Sequence, residues 1–287
     1  MARVRRFGRG GPLLGLAVIG AFYLVAFVSP TANFLRLSFL TDLGFTRLGP
    51  PTTANYSAVI ADPYLHELFI RTIELSAVTA IGTVVFAYPI AFTIARSRGF
   101  VSTALFLLAI ASVFTNHTVG ALGMVVLLAD EGPVSEALIH LGFGGLHVSY
   151  TFAAVAISQI VIVSPFAILA LIPVCDAVPP ALADAAYGLG ATRWRTFWTV
   201  IFPQTRTPTV LITLLIFSFS TGSYVVPSLL GGGHVRVLPL EIQQQTVELL
   251  NYPLGAALAV TIIATVFLVV GLSLAVFKPG AVYRAGG

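Results

Sequence analysis

Six stretches of this chain run for more than twenty residues without a single Asp, Glu, Lys or Arg. They lie between Arg9 and Arg36, Glu74 and Arg96, Arg98 and Asp130, Glu136 and Asp176, Arg206 and Arg236, and Glu248 and Lys278. A hydrocarbon layer about 30 Å thick takes about 20 apolar residues of helix and tolerates few charges. Each stretch therefore predicts one membrane-spanning helix. Only 9% of the 287 residues are charged and the mean hydropathy is +0.96, against about 25% charged residues in ordinary soluble domains. A soluble or disordered chain is excluded. A transmembrane β-barrel needs alternating segments with a polar inner face, and runs such as Ile157 to Leu171 do not alternate.

Arg3, Arg5, Arg6 and Arg9 precede the apolar stretch Leu13 to Val28 as the charged region of a signal peptide would, but no small-x-small cleavage site follows. The stretch reads as a retained first span. The single cysteine, Cys175, excludes an intramolecular disulfide and any multi-cysteine metal site.

Six spans put both termini on one side. With the N-terminus inside, the inner segments hold eleven cations: Arg3, Arg5, Arg6, Arg9, Arg96, Arg98, Arg193, Arg195, Arg206, Lys278 and Arg284. The outer segments hold three, Arg36, Arg47 and Arg236, with Arg71 near the outer end of the second span. This bias places both termini in the cytoplasm. Asp42, Asp62, Glu67, Asp130, Glu131, Glu136, Glu241 and Glu248 then fall outside, while Asp176 and Asp184 fall inside. Such an acidic outer face attracts cationic solutes through long-range electrostatics, although topology bias with solvated loops produces the same pattern.

A long first outer loop, Pro30 to His66, sets the first helix apart. The second outer loop, Asp130 to Ser149, and the third, Gly231 to Pro253, each have room for a short surface helix. Inner connections are tight except for Cys175 to Arg206. Within it PPALADAAYGLGATRWRTFWTVIFP, Pro179 to Pro203, parses as a helix, a glycine break at Gly188 and Gly190, and a second helix. Pro179 and Pro180 suit a first turn. In the second helix Trp194, Phe197, Trp198 and Ile201 recur at helical spacing, which predicts an amphipathic segment at the membrane interface. A helix-turn-helix on the inner face can grip a cytosolic partner; an inert interfacial loop is the plainer alternative.

This loop resembles the EAA motif of bacterial ABC importer permeases, E-A-A-x-x-x-G followed nine residues later by I-x-L-P. Asp184, Ala185, Ala186, Gly190, Val200 and Pro203 fall in register, with Asp184 for Glu, Val200 for Ile and Phe202 for Leu. YPIAFTIAR (Tyr88 to Arg96), FTN (Phe114 to Asn116), PSLLGGG (Pro227 to Gly233) and NYPLGAALA (Asn251 to Ala259) resemble the spermidine/putrescine branch. After FTN that branch usually carries Arg and then Tyr-Ala-Trp, where this chain has Gly120 to Met124.

The resemblance implies an all-α polytopic fold with six transmembrane helices and a cytoplasmic coupling helix, the type I ABC importer permease fold. It implies a tail, first helix and outer loop over 1–66, a permease core over 67–278 and a C-terminal tail over 279–287. It places the chain in the bacterial cytoplasmic (inner) membrane. Partners would be two ATP-binding cassette ATPase subunits, a second permease subunit that is a paralogue, and an extracytoplasmic solute-binding protein, with no nucleic acid. Asp184, Ala185, Ala186, Gly190, Arg193 and Pro203 would couple to the ATPase, and the solute would be a polyamine. Permeases for iron, an inorganic oxyanion, an opine or a sugar are the alternative reading, and a secondary transporter is one from another class.

The chain has no phosphate-binding GxxxxGK[ST] loop, its one lysine, Lys278, being followed by Pro279. No cofactor is expected in it, ATP and Mg belonging to the partner ATPases. His66-Glu67 begins HExxH, but Ile70 stands where the second histidine must be, and no GxSxG elbow occurs. His117, His140, His147 and His234 have no ligand spacing. An enzyme is not expected. Glu74, Asn116, His117 and Gln159 lie within or at the edge of uncharged stretches, where polar side chains face the bundle or a wet pathway. They are candidate pathway residues, although Glu74 can equally pair with Arg71 three positions away and the others can serve interhelical bonding. Pro89, Pro165 and Pro173 predict kinks in the second and fourth helices.

Overall fold

The computed structural model describes residues 18–44, 47–142 and 149–277. Arg3, Arg5, Arg6, Arg9, His147, Lys278, Arg284 and the terminal tails lie outside the described residues. Among the described residues five helices are long and apolar enough to cross a membrane: α1 Val18–Leu37, α3 Pro63–Arg96, α7 Phe152–Asp176, α9 Arg193–Thr221 and Tyr252–Val276, the main part of α12 (Tyr252–Phe277). The remaining stretch, Arg98 to Asp130, holds instead a broken pair, α4 Phe100–Val113 and α5 His117–Leu127, bent by 109°. At 1.5 Å per residue the two pieces are about 21 and 17 Å long, so neither alone spans about 30 Å. The break has a local cause. Asn116 leaves helical geometry, and its Oδ1 caps α5 by accepting from the Thr118 amide at 2.8 Å.

Contacts divide the chain into two units. The first takes in the described residues up to Pro63 and Ile242–Thr261; the second takes in Tyr64–Glu241 and the described residues from Ile262 onward.

In the first unit α1 runs to Leu37, past the Pro30 that was expected to open a loop. The reason is a π turn over Leu24–Val28, in which the Ser29 amide bonds Leu24 O one residue before the proline. Widening the turn there absorbs the hydrogen bond that a ring nitrogen cannot make. The described residues that follow carry structure of their own. Strands β1 Leu40–Asp42 and β2 Leu48–Pro51 pair antiparallel, Leu40 opposite Pro51, ahead of α2 Ala54–Ala61. Asn55 Nδ2 ties this hairpin down by donating to Ser38 O and Leu40 O at 3.0 and 2.8 Å.

In the second unit α3, α4, α7 and α9 share one core in which alanines alternate with large side chains. Ala80, Ala87 and Ala91 of α3 meet Ala109, Ala167, Leu171, Cys175, Ile216 and Phe217. Without a hydrophobic drive between helices in lipid, small side chains allow the close approach that packing requires. A second core joins Leu75, Ala121, Met124, Val155, Val226 and Leu230, the last two from α10 Val225–Leu230. The third outer loop does not stay on the surface. Val235 and Val237 enter that second core, and the Leu238 amide at the start of α11 (Leu238–Gln243) donates to Thr72 Oγ1 at 2.8 Å. By contrast α6, Pro133–His140, is the short surface helix expected in the second loop.

α3, α7 and α9 run unbroken through Pro89, Pro165, Pro173 and Pro208. At Pro165 the freed acceptor is Val161 O, which receives the Ser164 hydroxyl at 2.9 Å. A polar knot also joins three spans. Gln159 Oε1 of α7 accepts from Thr79 Oγ1 of α3 at 3.0 Å and from Ser220 Oγ of α9 at 2.7 Å, all three residues being buried. Gln159→Leu keeps the volume and removes both bonds. At about 0.6 kcal/mol per interhelical bond, the expected loss is about 1 kcal/mol of stability in a denaturant titration of the detergent-solubilised chain. Unchanged stability would refute the role of the knot.

Candidate functional site

The segment between α7 and α9 has both ends anchored. At the α7 end, Arg96 Nη2, at the last turn of α3, donates to Cys175 O at 3.2 Å and to Val178 O. The guanidinium thus supplies donors to carbonyls that a helix terminus leaves open. Pro179 is extended (φ −59°, ψ 129°) and Pro180 opens α8, Pro180–Gly188.

α8 stops in a Schellman turn. The Gly190 amide donates to Tyr187 O at 2.9 Å and the Ala191 amide to Ala186 O at 3.0 Å, with Gly190 at φ +80°, a conformation that favours glycine. Thr192 then caps α9 by accepting from the Arg195 amide at 3.3 Å. Asp184 and Ala185 are exposed, as are Leu182, Tyr187 and Leu189, the last by 90%. A carboxylate flanked by exposed Leu and Tyr on a clamped helix has the make-up of a protein docking surface. Ala186 is half-buried, and Gly190, Arg193 and Pro203 are exposed.

The second half of the loop differs from the interfacial helix expected of it. Arg193 to Ile201 form the first turns of α9 itself. A π turn over Phe197–Ile201, in which the Phe202 amide bonds Phe197 O, precedes Pro203 as the one in α1 precedes Pro30. The helix therefore continues through the proline. Of the aromatic stripe, Phe197 packs on α3, meeting Tyr88 edge-on at 5.5 Å and Phe92 at 6.4 Å, while the exposed Trp198 meets Trp194 and Phe202 of its own helix at 5.6 and 5.0 Å.

The candidate pathway residues do not form one site. Arg71 pairs with Glu67 at 2.8 Å rather than with Glu74, the order Glu then Arg four apart being the favoured one on a helix. Glu74 is exposed on a stripe of α3 that also carries Ile70, Val78, Ile81 and Val85. Asn116 and His117 share a cleft of about 230 Å³ at the α4–α5 bend, with Ser112, Thr115 and Phe166. The His117 ring lies edge-on to Phe219 at 5.5 Å, and its Nε2 is buried without a partner. Gln159 is 1% exposed and held in the polar knot, away from that cleft lining.

Two features escaped the sequence. The Arg96 clamp joins residues about eighty apart, which no local pattern reveals. At the start of α3, Arg236 Nη1 of the loop after α10 donates to Tyr64 Oη at 2.9 Å, and Tyr64 donates to Glu241 Oε2 at 3.0 Å. The Tyr64 hydroxyl holds the Arg236 guanidinium above the usual arginine value, with Glu241 adding to the effect. Among the described residues no three of His, Cys, Asp and Glu stand together as a metal site.

Arg96→Ala should loosen the end of α7. Cys175, the one thiol and fully buried, should then react with a maleimide at least about tenfold faster, hydrogen bonds from a charged donor being worth about 1.5–3 kcal/mol. An unchanged labelling rate would mean that Arg96 does not hold this end. Gly190→Val should speed hydrogen exchange at the Gly190 and Ala191 amides by roughly tenfold, from the cost of about 1–2 kcal/mol for a side chain in left-handed geometry. Exchange as slow as in the native chain would refute the turn.

Comparison with known proteins gives this geometry a family. Residues 83–280 match the family described as "Binding-protein-dependent transport system inner membrane component", and the chain belongs to it. The spermidine/putrescine transport system permease protein PotB of Escherichia coli (strain K12) is 27% identical over 266 residues, 91% of this chain and 94% of that one. The putative ferric transport system permease protein FbpB 1 of Haemophilus influenzae is 29% identical over 178 residues, 61% of this chain and 28% of that one. In fold, the chain resembles a solved bacterial alginate ABC transporter in complex with an alginate pentasaccharide-bound periplasmic protein, with a TM-score of 0.69 at 15% identity, over 91% of each chain. This chain is thus an all-α, multi-pass ABC importer permease subunit of the inner membrane, resembling the polyamine permeases.

Proposed function

We propose that this subunit carries a polyamine, spermidine or putrescine, across the membrane, using ATP hydrolysed by two separate ATPase subunits, one of which docks on α8. The observation that carries the reading is the clamped helix itself. Asp184 is exposed beside Leu182, Tyr187 and Leu189, and both ends of the segment are fixed, by Arg96 and by the start of a spanning helix. A push on such a helix passes into α7 and α9 rather than dissipating in a loop. Asp184 meets a basic group of the ATPase, Ala185 and Ala186 keep the contact face narrow, and Gly190 sets the turn. Arg193 and Pro203 govern the entry into α9.

A second permease chain completes the pathway, and an extracytoplasmic binding protein delivers the solute to the acidic outer loops. The core for this work is 67–278, with both termini cytoplasmic. Polyamine is favoured by the likeness to PotB over 91% of the chain and by charge complementarity with those loops. Glu74 faces the second permease or the pathway, since a carboxylate against lipid is costly. Asn116 and His117 line the pathway at the α4–α5 bend, and Gln159 positions the helices around it. A ferric solute is the second reading, from the likeness to FbpB 1.

The test is reconstitution of the chain with the ATPase, permease and binding protein encoded by its neighbouring genes. Spermidine or putrescine should stimulate ATP hydrolysis when its binding protein is present, and ferric ion should not. Asp184→Lys should abolish ATPase co-elution and cut uptake by at least about tenfold, the scale of a lost interfacial charge pair at 2–5 kcal/mol, with thermal stability unchanged. Full uptake by the variant would overturn the coupling role, and stimulation by another solute alone would overturn the polyamine assignment.

A further inference from the structure

Where α9 enters the bundle, it and α3 enclose a cleft of about 500 Å³ that the transport reading leaves unused. Its walls are Tyr88, Phe92, Trp194, Trp198 and Phe202, with Arg193 as its charged group. The size falls in the range of small-molecule sites, about 300–1,000 Å³, but such sites orient their ligands with several convergent polar groups. This cleft is almost entirely apolar, and its cation repels a polyamine. Arg193 is exposed.

An occupant of this cleft must be apolar along its length and anionic at one end. We propose that the cleft holds an acyl chain of an anionic phospholipid from the leaflet on the α8 side, with the lipid phosphate on Arg193. Three observations support a lipid over a protein segment. Trp194 and Trp198, 72% and 47% exposed, are the residue type that settles at the boundary between headgroups and hydrocarbon. Arg193 occupies the first turn of α9, where the helix dipole has the same sign as its charge and adds to the attraction for phosphate. A basic pocket between spanning helices on the cytoplasmic side is, in physical terms, an acidic-headgroup site. Because α9 begins directly after the Gly190 turn, the lipid would brace the helix that receives the motion of α8.

The chain offers its own reporter, since both of its tryptophans line the cleft. The full-length chain is reconstituted in phosphatidylcholine vesicles containing an equal minor fraction of either dibrominated phosphatidylglycerol or dibrominated phosphatidylcholine, and tryptophan quenching is measured. Brominated phosphatidylglycerol should show a roughly fivefold preference in apparent binding, the scale of one basic side chain against an anionic headgroup. Arg193→Gln should equalise the two lipids. Trp194→Phe and Trp198→Phe should each retain the preference through the remaining tryptophan.

Equal quenching of the native chain by the two lipids would overturn the proposal, as would no quenching by either. Quenching lost as the chain is crowded in the vesicle would place a second chain in the cleft and overturn it too. The readout needs neither ATP nor solute, so it stands or falls apart from the transport reading.

Discussion

Every backbone amide and carbonyl that enters hydrocarbon must find its partner within the protein, and the rest of this structure follows from how the chain meets that demand at its prolines and helix ends. Two prolines, Pro30 and Pro203, are each preceded by a π turn that shifts one hydrogen bond back by a residue and lets the helix continue. At Pro165 a serine hydroxyl takes the freed carbonyl, and at the end of α7 the arginine from α3 takes two. Threonine and serine hydroxyls elsewhere fold back on their own helices, as Thr72 does on Leu68 O and Ser158 on Ala154 O. Polar side chains in the spans thus serve largely as internal partners.

That accounting also explains where the structure is stiff. The Arg96 clamp joins the end of α3 to the end of α7, and the rings of Tyr88, Phe92 and Phe197 join α3 to the start of α9. α8 therefore hangs between two points fixed on one helix, and its Schellman turn sets the angle between them. Farther along α3, the Thr79–Gln159–Ser220 knot ties α3, α7 and α9 again. The bent α4–α5 pair has no such knot at its break, where Asn116 caps one helix and His117 keeps a buried, unpartnered nitrogen.

Much of this was legible in the residues because the physics is local. Charge-free length marked five spans directly, and Pro180, Asp184 and Gly190 marked a short helix and its turn. The stretch from Arg98 to Asp130 is as free of charge as the others, and only the capping geometry of Asn116 divides it into two short helices. The aromatic stripe of Trp194, Phe197, Trp198 and Ile201 has the periodicity of an interfacial helix, yet it is the root of a span. Periodicity reports a face and not what the face meets, and here Phe197 meets α3 while both tryptophans stay exposed. Glu74 and Arg71 were close enough to pair by spacing, but Glu67 offered the better geometry one turn earlier.

Hydropathy, charge bias and turn chemistry act over a few residues to a few turns, so the residues alone were enough to place this chain in a membrane, to mark the stretches apolar enough to enter it and to mark the short helix that ends in a glycine turn. The tertiary structure alone decided that Gln159 binds helices together, that Arg96 holds the loop and that both tryptophans border one apolar cleft. Those outcomes depend on which distant segments pack side by side, and a contact between residues 61 to 82 positions apart leaves no periodic trace in the chain that makes it.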